Sequence, residues 1–280
     1  MKVVIIGSGV MGSGIAIESV RAGYTTLLFD INAEALTKAE SYIHKQLEKA
    51  QSIGKITEEA RLAALKLLQF TDQFSELKAD FILEAIVEKL PVKQDLFARL
   101  ESQNSPDCIF ATNTSSIPIT QIASGLKHPE RLVGVHFFNP AHIMKLVEII
   151  SGAATDEKIA EKAFNWAKKL GKTAVYAKDA PGFIVNRVAR HFYVESLKAL
   201  EEQIGDFEQM DRLMRATGFK MGPFELMDLI GVETNYSVTQ SMFEQFQYDS
   251  KFRPSRIQKQ KVDAGFHGRK TKKGFYTYDA

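Results

Sequence analysis

The stretch from Lys2 to Asp30 limits what this chain can fold into more than any other. An apolar, β-branched run, Val3-Val4-Ile5-Ile6, is too short for a helix and breaks into Gly7-Ser8-Gly9-Val10-Met11-Gly12, which reads as a strand ending in a glycine turn. Ile15, Ala16, Ile17 and Val20 follow at helical spacing, and after Gly23 a second apolar run, Leu27-Leu28-Phe29, closes on Asp30. A dinucleotide gives each part a task. Gly7 allows the tight turn, Gly9 lets the backbone approach a pyrophosphate and Gly12 lets the helix pack on the strand, while the helix N-terminus offers N–H groups to the phosphates. Ser8, Val10 and Met11 complete this phosphate loop. Asp30 would accept hydrogen bonds from the adenosine ribose and repel a 2′-phosphate, so NAD is expected over NADP.

A chain of 280 residues is long enough for two domains with a sizeable core. Its 36 basic and 34 acidic residues nearly cancel, so no global field argues for nucleic acid or an anionic membrane. The single cysteine, Cys108, lies in an apolar run and reads as a core residue in a reducing compartment. No run of about 18 apolar residues is present to span a bilayer. The first strand begins at Val3, leaving no room for a signal or transit peptide, and a cytoplasmic protein is expected. No metal-ligand spacing and no nucleic-acid motif stands out.

After Asp30 the composition from Ala33 to about Ile53 predicts a long helix, and Thr57-Glu58-Glu59 starts a second, giving a helical hairpin inserted into the nucleotide fold. Its lysines, Lys45, Lys49 and Lys55, read as a solvated face or, more sharply, as an anchor for a phosphorylated substrate handle. Strands are expected at 67–70, 81–83, 108–111, 131–138, 145–150 and 173–177, with helices between them at Pro91 to Leu100, Ile119 to Ala123 and Glu157 to Leu170. Thr112-Asn113-Thr114-Ser115-Ser116 follows one strand and suits either ligand binding or capping of the next helix. The alternation predicts an α/β, mostly parallel sheet of the Rossmann type over residues 1–180. From residue 181 to 280 the pattern turns helical almost throughout, which predicts a second, all-helical domain.

An alcohol dehydrogenase using a nicotinamide needs a base for the hydroxyl proton, and histidine, with an unperturbed pKa of about 6.5, suits that task. His136 lies near the end of one predicted strand and can face Glu148 on the next, which would fix its tautomer. His142 shares the intervening loop without an evident carboxylate partner.

Seven ordered blocks carry a resemblance over essentially the whole chain. They are Gly7 to Ala16, Glu84 to Glu88, Asn113 to Ser116, His136 to Pro140, Met144 to Glu148, Pro181 to Arg187 and Gly222 to Leu226, with a closing segment from Arg269 to Tyr276. In these the chain resembles the 3-hydroxyacyl-CoA dehydrogenases, especially the short bacterial 3-hydroxybutyryl-CoA enzymes. The resemblance implies an NAD-dependent oxidoreductase that interconverts an (S)-3-hydroxyacyl-CoA and the 3-oxoacyl-CoA. It places the base at His136 and its acid at Glu148, gives Ser115 contact with both substrate and nicotinamide, and gives Asn186 the task of holding the substrate. It also implies cofactor contacts at Glu88, Lys93, Asn139 and Lys270, and a homodimer formed through the helical domain. Lys270-Thr271-Lys272 departs from the family's Lys-Thr-Gly, and a CoA contact at Lys55 rests on a poorly matching hairpin. A sugar-acid dehydrogenase of the same fold and a nucleotide-binding protein without catalysis stand as the alternatives.

Overall fold

The computed structural model describes residues 1–279. The chain divides into two compact units, Met1–Ala180 and the residues from Pro181 onward.

In the first unit, β1 (Lys2–Ile6) has Val3, Val4, Ile5 and Ile6 all buried, so both of its faces are covered, as in the middle of a parallel sheet. Each such side chain contributes about 1.5–3 kcal/mol of burial. The glycine turn leads into α1 (Val10–Arg21), and β2 (Thr25–Phe29) returns parallel to β1 with Val4 opposite Leu27. The hairpin follows as α2 (Ala33–Ser52) and α3 (Glu58–Lys66). Asn32 caps α2 by accepting from the Glu34 and Ala35 N–H groups, and Thr57 caps α3 by accepting from Ala60. Leu36, Ala39, Ile43 and Leu47 form the buried stripe of α2 and join the same core as Ile15 and Val20 of α1. The hairpin is thus part of the domain core.

The remaining elements are β3 (Leu68–Thr71), β4 (Phe81–Glu84), α4 (Leu90–Gln103), β5 (Ile109–Thr112), α5 (Ile119–Ala123), β6 (Leu132–Phe137), β7 (Leu146–Ser151), α6 (Glu157–Lys169) and β8 (Thr173–Lys178). They complete an eight-stranded sheet of order β3-β2-β1-β4-β5-β6-β7-β8. All neighbours are parallel except β6 and β7, which are antiparallel. The expected α/β class and Rossmann-type sheet hold, with strand edges shifted by a residue or so from the sequence reading. Strand order reverses direction between β1 and β4, the place where open parallel sheets collect ligands at their carboxyl ends. The turn after β1, Asp30 after β2, the loop after β4 and the loop after β5 all lie along that edge.

The second unit begins with α7 (Val185–Glu201), followed by α8 (Phe207–Ala216), α9 (Pro223–Ile230), α10 (Val232–Gln245) and α11 (Arg256–Asp263). Tyr193, Leu197, Phe224, Met227, Val232 and Phe275 make its core. The Asp211 carboxylate accepts from the Phe224 and Glu225 N–H groups and from the Tyr276 hydroxyl, and Asp228 accepts from the Phe275 and Tyr276 N–H groups and the Tyr278 hydroxyl. These two buried acids tie the C-terminal tail to α8 and α9. α11, within the stretch expected to be helical, buries Gln258 in its Gln- and Lys-rich turns in place of an apolar stripe. Among the described residues no helix is long and apolar enough to cross a membrane, and no cluster of His, Cys, Asp or Glu could hold a metal ion.

Candidate active site

The glycine turn has the form that a pyrophosphate requires. Gly7 has a φ of +100°, and a Cβ there would lie 2.6 Å from the Ala85 carbonyl oxygen; a Cβ on Gly12 would lie 1.7 Å from the Gly7 oxygen. Neither position admits a side chain. Gly9 is the opposite case, for a Cβ there would meet nothing within 4 Å. Space therefore opens over Gly9, directly at the N-terminus of α1, and no side chain caps that terminus. The N–H groups of Val10 and Met11 in its first turn are left to an incoming anion. A dinucleotide fits this cradle.

Asp30 is held for its task. Its Oδ2 accepts from the N–H and the hydroxyl of Ser8, both at 2.8 Å, and its Oδ1 accepts from the Asn32 N–H at 3.0 Å. A carboxylate has about four acceptor sites, so Oδ1 retains capacity for a ribose hydroxyl.

The loop after β5 is organised from the neighbouring strand by two glutamates. Glu88 Oε1 accepts from the Thr114 hydroxyl at 2.6 Å, the Ser115 N–H at 2.9 Å, and the N–H and hydroxyl of Ser116 at 3.2 and 3.1 Å. Burial raises the Glu88 carboxyl, but the Lys93 ammonium and these hydrogen bonds outweigh it and hold the group below the usual carboxylate range. Lys93 lies in α4 with 1% of its side chain exposed, its Nζ 2.6 Å from Glu84 Oε1 and 3.2 Å from Glu88 Oε2. Glu84, at the end of β4, is buried and also accepts from the Thr112 hydroxyl and the Ile86 N–H, each at 2.7 Å. Lys93 thus supports Glu88, and Glu88 supports Ser115. In the sequence Glu84 shows only as the charged end of an apolar strand and the start of a matching block, with nothing to indicate its pairing with Lys93.

The polar run 112–116 does not cap α5. Asp179 does so from 60 residues away, accepting from the Ile119 and Thr120 N–H groups at 2.8 Å each and from the Thr120 hydroxyl at 2.6 Å. Asn113 accepts instead from the Phe137 N–H at 2.8 Å, at the end of β6.

His136 and Glu148 stand directly opposite each other in the antiparallel β6–β7 pair. Both are buried, and Nδ1 lies 2.8 Å from Glu148 Oε2. An ionised carboxylate accepts from Nδ1–H, which fixes the tautomer with the lone pair on Nε2. The following loop, which carries the exposed Asn139, is fastened by Lys172, whose Nζ donates to the Ala141 carbonyl at 2.7 Å and the Met144 carbonyl at 3.2 Å and pairs with Glu18 of α1 at 2.6 Å. All three ammonium protons are used. Neither Glu18 nor Lys172 was singled out from the sequence, because the pair joins residues more than 150 positions apart and breaks no local pattern. His142 in the same loop contrasts with His136: burial lowers its pKa, and its Nδ1 is buried with no partner among the described residues.

The other expected site residues are placed as follows. Lys55 is exposed in the turn between α2 and α3. Asn186 lies in the first turn of α7, and Lys270 pairs with Glu233 of α10; both belong to the second unit.

The whole chain has known counterparts. Residues 2–180 match the 3-hydroxyacyl-CoA dehydrogenase NAD binding domain and residues 182–278 the C-terminal domain of the same family. A 3-hydroxyadipyl-CoA dehydrogenase of Escherichia coli (strain K12) is 46% identical over 280 residues, covering 99% of this chain; the chain spans 59% of that relative's length. A 3-hydroxybutyryl-CoA dehydrogenase of Bradyrhizobium diazoefficiens is 39% identical over 279 residues, with 99% of this chain and 95% of the relative covered. The crystal structure of an (S)-3-hydroxybutyryl-CoA dehydrogenase from Ralstonia eutropha superposes with a TM-score of 0.96 at 32% identity, covering 100% of this chain and 99% of that one. With both units matched in sequence and in fold, the chain belongs to the 3-hydroxyacyl-CoA dehydrogenase family.

Proposed function

We propose that this protein interconverts short-chain (S)-3-hydroxyacyl-CoA and 3-oxoacyl-CoA thioesters, with His136 as the base. The observation that carries this reading is the His136–Glu148 pair, a buried imidazole with a fixed tautomer at the carboxyl edge of a dinucleotide-binding sheet. In the oxidative direction Nε2 takes the C3 hydroxyl proton, and Glu148 stabilises the imidazolium that results. Bound NAD supplies the two-electron acceptor for the C3 hydride, so the C–H bond breaks as the C3–O double bond forms. Ser115, set by its N–H bond to Glu88, and Asn186 orient the C3 oxygen. The Val10 and Met11 N–H groups hold the pyrophosphate and Asp30 the adenosine ribose. Glu88, Asn139 and Lys270 contact the cofactor, with Lys93 acting through Glu88. Lys55 takes a phosphate of CoA.

Exposed apolar side chains on the helical unit, among them Val188, Leu213 and Phe219, support a homodimer formed through it. The lone buried cysteine is consistent with a cytoplasmic enzyme. The relatives' names divide between hydroxybutyryl-CoA and hydroxyadipyl-CoA, acyl groups that differ in length and in a terminal carboxylate. The test is NADH oxidation with acetoacetyl-CoA, repeated with NADPH and with free 3-oxo acids. Turnover with the thioester and NADH supports the reading. Turnover with a free 3-oxo acid but no thioester sinks it, as does NADH binding without turnover of any of them.

A further inference from the structure

β6 runs on past the end of its neighbour. β5 pairs with it as far as Thr112 opposite Gly134, yet β6 continues to Phe137, one residue beyond His136. After Thr112 the hydrogen bonds of the chain run to the other side: the Asn113 N–H donates to the Glu84 carbonyl at 2.8 Å, and Glu88 gathers Thr114, Ser115 and Ser116. A buried backbone N–H needs an acceptor, and at the end of β6 the β5 backbone no longer offers one. The Asn113 side chain does, with Oδ1 2.8 Å from the Phe137 nitrogen. Only one amide orientation works, since turning it would set N–H donors face to face. Nδ2 makes no hydrogen bond among the described residues.

Both ends of this bond adjoin groups that the proposed function uses. Phe137 is buried and meets the Trp166 ring edge-on, with centroids 6.0 Å apart, so its N–H is a fixed point. The residue before it, His136, faces the other side of the strand and is held by Glu148. Two residues beyond Asn113 stands Ser115. The loop that carries Ser115 is therefore slung between two anchors, Glu88 on the β4 side and Phe137 on the β6 side.

We propose that Asn113 is a positioning residue for the reaction: by accepting from the Phe137 N–H it sets the spacing between the Ser115 hydroxyl and the His136 imidazole, so that both meet the C3 oxygen together. The inference rests on the proposed function, which gives that oxygen to these two side chains. Its test is NADH-linked kcat with acetoacetyl-CoA, each variant taken at its own pH optimum, beside the Kd for NADH. Asn113→Leu keeps the size and removes the acceptor, and lowers kcat by about tenfold to hundredfold, the cost of a misplacement of about 1 Å. Its NADH affinity stays within about threefold, because the pyrophosphate and adenosine contacts lie elsewhere. Asn113→Asp keeps the acceptor, loses only Nδ2, and restores kcat to within about threefold of wild type. Ser115→Ala lowers kcat in the wild type but adds less than about threefold on Asn113→Leu, as for groups that act as a unit. Asp156→Ala, which removes the cap of α6, is the control for lost stability and leaves kcat unchanged.

Wild-type kcat in Asn113→Leu overturns the proposal while leaving the reaction class standing. So does an Asn113→Asp variant as slow as Asn113→Leu, which would move the role to Nδ2. Fully multiplicative losses with Ser115→Ala, or an equal fall in kcat for Asp156→Ala, overturn it as well. If the wild type turns over no thioester, the underlying reading fails and this one with it.

Discussion

Replacing Lys93 by methionine tests the network that holds the Ser115 loop. The substitution keeps most of the side-chain volume and removes the ammonium that lies 2.6 Å from the fully buried Glu84 carboxylate. Glu84 keeps its hydrogen bonds from the Thr112 hydroxyl and the Ile86 N–H but loses its only counterion among the described residues. Stranding a buried charge in this way costs about 3–5 kcal/mol. For a unit of this size each kcal/mol shifts Tm by about 2–4 °C, so a fall of about 6–20 °C is expected. The assay is built into the chain: its single tryptophan, Trp166, belongs to the first unit and is buried 4.5 Å from Phe81, the first residue of the strand that ends in Glu84. Tryptophan fluorescence during denaturant unfolding therefore reports this unit. Adding Glu84→Gln to the Lys93→Met variant removes the stranded charge and recovers more than about 1 kcal/mol, a coupling that a double-mutant cycle reads directly. A single-variant loss below about 1 kcal/mol, or strictly additive substitutions, would refute the view that the ammonium neutralises Glu84.

Two further outcomes follow from the geometry. Asp30→Ala removes the ribose acceptor and frees Ser8 from both of its 2.8 Å bonds, and weakens NADH binding by about tenfold or more in a fluorescence titration; an unchanged Kd contradicts the assignment. Burial pushes the Cys108 thiol up to about 12, so the folded state keeps it neutral while the unfolded chain ionises near its ordinary value of 9.0. The stability this group contributes is complete below about pH 9 and is lost as pH rises towards 12, and a thiol reagent at pH 8 labels only unfolded protein. Stoichiometric labelling of the native chain at that pH would contradict the buried placement.

The parts of the fold that sequence makes legible are those set by local chemistry. The glycine turn is readable because each glycine answers a different constraint: Gly7 needs its positive φ, Gly12 has no room for a Cβ, and Gly9 opens onto free space. The facing of His136 and Glu148 is readable because two short apolar runs joined by a loop pair antiparallel and set one register. The Asp179 cap of α5 and the Lys172 clamp on the loop after β6 depend on residues brought together by sheet order, which no local window contains. Lys93 had a partner to be found in Glu88 five residues earlier, yet only the structure shows that both act together with Glu84. The roles proposed for Ser115 and Asn186 rest on family resemblance; spacing alone leaves the run 112–116 open between ligand binding and capping.

The central claim is that His136 moves the proton in an NAD-linked reaction on a hydroxyacyl thioester. Its most direct test is His136→Gln, with kcat for acetoacetyl-CoA reduction measured beside the Kd for NADH. The account predicts a fall in kcat of about 10²–10⁴, the usual worth of a positioned acid or base, with NADH affinity changed by less than about threefold. A variant that retains wild-type turnover would show that the proton leaves by another route.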